Sequence, residues 1–111
     1  MNDNIKLCEE IIGFEFDRAI DKHGKFFKNS DEFMGAFYEE LQEVKEEIKK
    51  IEIYVELLEK AKRQNNENGI TDCLIYIRRY SKYTLLELAQ ICAIIDKKNL
   101  GYDLKGGLNN D

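Results

Sequence analysis

"FMGAFYEELQEVKEEIKKIEIYVELL", residues 33–58, decides the fold. Its apolar positions run Phe33, Phe37, Leu41, Val44, Ile48, Ile51, Val55 and Leu58. From Phe37 onward the steps alternate four and three, the helical period that keeps one apolar stripe facing a partner helix. No strand-like alternation interrupts it. The stretch predicts one long helix with a heptad-like seam, suited to near-antiparallel packing.

Working outward, Asn29 or Ser30 can cap this helix, and Asp31 and Glu32 complement its positive end. "RQNNENG", residues 63–69, reads as a loop. A third helical run follows from about Thr71 to Lys98, with Leu74, Ile77, Ser81, Leu85, Leu88, Cys92 and Ile95 at the same alternating steps. Its pattern is weakest near Ser81 to Thr84, where an interruption is expected. Upstream, Ile5, Cys8, Ile12, Phe16 and Ala19 recur at threes and fours and predict a helix over about 3–22. Gly24 then suits the left-handed residue after a helix, with Lys22 and His23 near its negative end. The fold class is all-α: an antiparallel helical hairpin with an N-terminal helix packed against it, in one domain over residues 1–100. "GYDLKGGLNND", residues 101–111, is expected to be a flexible tail.

From Leu85 to Ile95 the third helix is apolar nearly all round, which asks for partners on several sides. A homodimer or homotetramer that completes a four-helix-type bundle would meet that need. The chain has 111 residues and a formal net charge of −5, a balance that argues against general nucleic-acid binding. It leaves room for an anionic ligand held through a metal ion. No apolar run approaches membrane-spanning length, and "MNDNIKLCEE" lacks the basic and apolar regions of a signal peptide. A cytoplasmic protein is expected, with Cys8, Cys73 and Cys92 as reduced, buried thiols.

Within the opening stretch, "YEELQEVKEE" (38–47) holds five glutamates. Glu39, Glu40, Glu43, Glu46 and Glu47 fall within an arc of about 120° at 100° per residue. Stacked like charges cost a helix a few tenths of a kcal/mol per pair, so the face is either plain solvated surface or the seat of something positive. Glu40 and Glu47 border the apolar stripe and Glu43 stands beside them. The second clue is Glu87 in "TLLELAQICAII" (84–95), a carboxylate in an apolar run, which is rarely buried unless paired or bound to metal. Its face also holds Tyr76, Tyr80, Tyr83, Ile91 and Ile94, with Arg79 and Gln90 at the edge. Two helices that brought Glu40, Glu43 and Glu87 around one point would make a Mg²⁺ site with oxygen ligands. An ion pair with a basic residue across the bundle is the structural alternative for Glu87.

"DKHGKFFKNSDEFMGAFYEELQEVKEEI" (21–48), followed later by "LLELAQICAII" (85–95), resembles the MazG-like nucleotide pyrophosphohydrolases, and more narrowly their short phage and prophage members. The similarity covers roughly residues 16–98, and its most specific element is EExxE at Glu39-Glu40-Leu41-Gln42-Glu43. The resemblance implies Mg²⁺-dependent (or Mn²⁺-dependent) cleavage of a nucleoside triphosphate between the α- and β-phosphates. It makes Glu40 and Glu43 metal ligands, Glu39 the residue beside them that positions or activates water, and Glu87 the first ligand of a second motif, ExxD. That motif ends here in Gln90, a neutral amide that can coordinate through its oxygen but removes one negative charge. The resemblance also places His23 near the nucleotide, against a plain helix-end role. Tyr80 and Tyr83 could stack on a base and Arg79 meet phosphate, or all three could serve in core, interface or ion pairs. Two other functions stand beside the hydrolase. One is a nucleotide-binding relative without turnover, motivated by Gln90; the other is a helical interaction protein.

Overall fold

The computed structural model describes residues 2–102 as three helices: α1, Asp3–His23; α2, Ser30–Arg63; and α3, Glu67–Asn99. No strand occurs among the described residues beyond one isolated bridge between Phe27 and Tyr102. The protein is all-α, with α2 and α3 packed as a helical hairpin. None of the described helices is long and apolar enough to cross a membrane. Residues 103–111, most of the expected tail, lie outside the described residues.

Each helix start is fixed by an asparagine carboxamide. The Asn2 Oδ1 accepts from the Ile5 N–H at 3.0 Å, Asn29 Oδ1 from Glu32 N–H at 2.9 Å, and Asn66 Oδ1 from Gly69 N–H at 3.0 Å. These bonds satisfy backbone donors that have no partner inside the helix. Glu32 answers Asn29 by accepting the Lys28 N–H at 2.8 Å, so the entry to α2 is held from both sides. At the end of α1, Gly24 has φ 88° and its N–H donates to the Ile20 carbonyl at 2.8 Å. Asn29 is thus the α2 cap.

Two expectations about α3 are corrected. It starts at Glu67, because Asn65 turns the chain at φ 54° and Asn66 caps at once; only residues 64–66 connect the hairpin. It also runs unbroken through Ser81–Thr84, where the Thr84 hydroxyl donates to the Tyr80 carbonyl at 2.8 Å within the same helix.

The described chain divides into two compact units. The first comprises residues up to Leu41 and from Leu88 onward. Its core holds Phe27, Ala89, Ala93 and Ile94, with Phe33 edge-on to Phe27 at 5.6 Å and tilted against Phe37 at 5.9 Å. The second, Gln42–Glu87, is the hairpin itself. There Val44, Ala61 and Cys73 are buried, and Tyr54 stacks on Tyr76 at 4.8 Å and on Tyr80 at 5.9 Å.

Which residues face inward departs from the expected seams. On α3, Leu74, Leu85, Leu88, Cys92 and Ile95 are exposed, Leu85 by 58%. Ile77 is sheltered as expected, and the rest of the sheltered stripe is shifted by one residue: Cys73, Tyr76, Tyr80, Thr84, Glu87, Ile91 and Ile94. On α2, Val44, Ile51 and Leu58 are sheltered as expected, whereas Ile48 and Val55 are exposed and Glu40, Glu43 and Glu47 are half-buried. On α1, Ile12, Phe16 and Ala19 are sheltered, but Ile5 and Cys8 are exposed and Glu15 is buried. Of the three free cysteines only Cys73 is buried, so the expectation of three buried thiols is corrected.

Candidate functional site

In the first unit, α1, the start of α2 and the end of α3 enclose two neighbouring cavities. One, of about 210 Å³, is lined by Glu15, Arg18, His23, Glu40 and Gln90 among others. The other, of about 250 Å³, carries His23, Phe27, Glu32, Glu39, Glu40 and Lys97 in its walls. Glu40 and His23 border both. Glu39 is exposed, and Glu40 is half-buried with Oε1 out of solvent.

The first cavity shows why Gln90 suits its place. Glu15 on α1 is only 7% exposed, and its Oε1 accepts a hydrogen bond from Gln90 Nε2 at 3.2 Å. Its other oxygen accepts from Arg18 Nη1 at 3.3 Å. A carboxylate at position 90 would face Glu15 with like charge, whereas an amide donates to it.

The second cavity has Lys97, a residue 2% exposed, in its wall. Its Nζ lies 4.2 Å from the centre of the Phe27 ring, a cation–π contact. Burial pushes its pKa below the ordinary lysine value, with the nearby Glu32 carboxylate pulling the other way.

In the second unit, carboxylate oxygens of Glu43 and Glu87 lie within 4.8 Å of each other, both residues half-buried. Oε2 of Glu87 is shielded from solvent. Nearby on this hairpin, Glu47 pairs with Lys50 at 3.5 Å, and Lys50 Nζ sits 5.2 Å over the Tyr80 ring.

The remaining sequence candidates fall into packing roles in the same unit. Tyr80 has Tyr54 on one side and meets Tyr83 edge-on at 6.0 Å; Tyr83 itself is exposed. The Arg79 guanidinium covers Tyr76 at 5.0 Å. Two residues with distinctive surroundings, Glu15 and Lys97, were not among the sequence candidates. The signal for Glu15 was a lone carboxylate between Phe14 and Phe16 in an amphipathic helix. Lys97 gave none, since a lysine near a helix end reads as a dipole partner.

No protein-family model, curated protein or solved structure matches the chain.

Proposed function

We propose that this protein is a Mg²⁺-dependent nucleoside triphosphate pyrophosphohydrolase. The observation that carries the reading is the placement of glutamates on sheltered helix positions while leucines of α3 lie outside, with Glu43 and Glu87 within 4.8 Å. Apposed half-buried carboxylates repel, and a divalent cation between them removes the penalty. The resemblance to MazG-like pyrophosphohydrolases in EExxE and the later glutamate supports the same assignment. The donor set fits Mg²⁺, since Glu40, Glu43 and Glu87 are hard oxygen ligands.

In this reading Glu43 and Glu87 would hold the cation, and the resemblance adds Glu40 and Gln90 to its ligands. When bound, Mg²⁺ would neutralise charge on the phosphate oxygens. Glu39, exposed at the cavity wall, orients a water and takes its proton. That water's oxygen joins phosphorus as the α–β bridging P–O bond breaks, giving a monophosphate and pyrophosphate. Exposed apolar residues on α3 support assembly with a second copy, as homodimer or homotetramer. The second reading, nucleotide binding without turnover, is favoured by one observation. Gln90 is neutral and already hydrogen-bonded, so the site has one charge fewer for its metal.

The test is monophosphate and pyrophosphate release from a panel of NTPs and dNTPs with Mg²⁺, with Mn²⁺ and with EDTA. Metal-dependent product that Glu43→Ala abolishes is the expected result. Binding without product would select the second reading, and product from Glu43→Ala at the wild-type rate would remove the site.

A further inference from the structure

We propose that Lys97 receives the phosphate end of an anionic ligand in the cavity it shares with Glu39 and Glu40. A lysine residue is almost never this buried unless its ammonium is paired. Lys97 is 2% exposed, yet among the described residues it has no salt-bridge or hydrogen-bond partner. The face of Phe27 lies 4.2 Å from its Nζ, a contact that leaves its three N–H donors unsatisfied. Glu32, the carboxylate nearest in effect, is occupied by the Lys28 N–H at 2.8 Å. An amine so placed costs stability in the free protein and gains when an anion enters.

The cavity is the place for that anion. At about 250 Å³ it has room for about eight waters' share of liquid volume, enough for a phosphate or pyrophosphate group. Its walls also carry Glu39 and Glu40, which would repel a bare anion. A phosphate that brings its own divalent cation meets both demands, with its oxygens on the ammonium and the cation toward the carboxylates. The inference rests on the hydrolase reading only for this orientation.

The experiment is calorimetric titration of inorganic pyrophosphate into wild type and Lys97→Met, with Mg²⁺ and with EDTA. Methionine keeps the shape and removes the buried charge, so helicity and melting temperature should hold or improve. Wild type is expected to bind pyrophosphate, better with Mg²⁺, and Lys97→Met to bind it at least about tenfold more weakly. Equal affinity in the two proteins overturns the proposal, as does no binding to wild type, or acetate or glycine bound as tightly. If the variant does not fold, the Lys97 side-chain resonance in wild type decides: movement on titration supports the proposal and no movement overturns it. The two readings fail separately. Lys97-dependent pyrophosphate binding without NTP turnover supports this inference and removes the hydrolase. Glu43-dependent turnover with unchanged pyrophosphate affinity in Lys97→Met does the reverse.

Discussion

Glu43→Gln tests the site before any substrate is chosen. Two unit charges 4.8 Å apart repel by about 0.9 kcal/mol in bulk water and about 3.5 kcal/mol at an effective dielectric near 20. Glu43 and Glu87 are half-buried and water reaches both, so the relief on neutralising Glu43 should lie near the lower figure, at about 1 kcal/mol. A chain of this size gains roughly 4–8 °C in melting temperature per kcal/mol. In EDTA at low salt, Glu43→Gln is therefore expected to melt at least about 4 °C above wild type, followed by far-ultraviolet circular dichroism. Adding Mg²⁺ should reverse the order, because a cation at a hundred times its Kd stabilises the folded state by about 2.7 kcal/mol. The glutamine variant, having lost a ligand, should gain less. A Glu43→Gln melt below wild type in EDTA would refute the reasoning, since it would mean that folded contacts favour the charge at position 43.

Three further outcomes are expected. Lys97 has a lowered pKa, so the folded protein resists its charged form; the penalty is full below the folded pKa and fades as pH rises toward the ordinary value of 10.5. Lys97→Met should accordingly melt higher than wild type at neutral pH, and the gap should narrow with rising pH; a gap constant with pH would count against it. Gly69→Ala, normally worth up to about 1 kcal/mol in a helix, should instead lower stability. Its Cβ would meet Asn66 Nδ2 at 2.7 Å and Ala61 Cβ at 3.2 Å, disturbing the α3 cap, and a raised melting temperature would contradict this. Leu85→Glu should convert a dimer or tetramer to monomer in analytical ultracentrifugation while leaving helicity intact; a wild type that is already monomeric at tens of micromolar removes the assembly.

Helix number and order were legible because apolar periodicity is strong in all three segments. On the α2 seam Phe33, Phe37, Leu41, Val44, Ile51 and Leu58 are sheltered as expected, and Ile48 and Val55 are not. On α3 the leucine-rich line Leu74–Leu85–Leu88 reads as the packed stripe and is the outer one. The reason is physical. Periodicity identifies a face that avoids water without identifying the surface that covers it, and the inner stripe mixes Cys73, Ile77, Ile91 and Ile94 with two tyrosines, a threonine and a glutamate. Glu40, Glu43 and Glu87 were legible as acids beside apolar neighbours. Glu15 was not, because its role depends on Gln90, seventy-five residues away in sequence.

The tyrosine stack has a spectroscopic consequence. The chain has no tryptophan and six tyrosines, of which Tyr54, Tyr76, Tyr80 and Tyr83 lie in Gln42–Glu87. The rings of Tyr54 and Tyr76 are 4.8 Å apart and inclined by 16°, close enough for their electronic transitions to couple. Near-ultraviolet dichroism is therefore dominated by the hairpin, whereas the far-ultraviolet signal counts helix in both units. Melting curves that coincide at the two wavelengths would describe one cooperative transition, and curves that separate would time the loss of the hairpin against the rest of the chain.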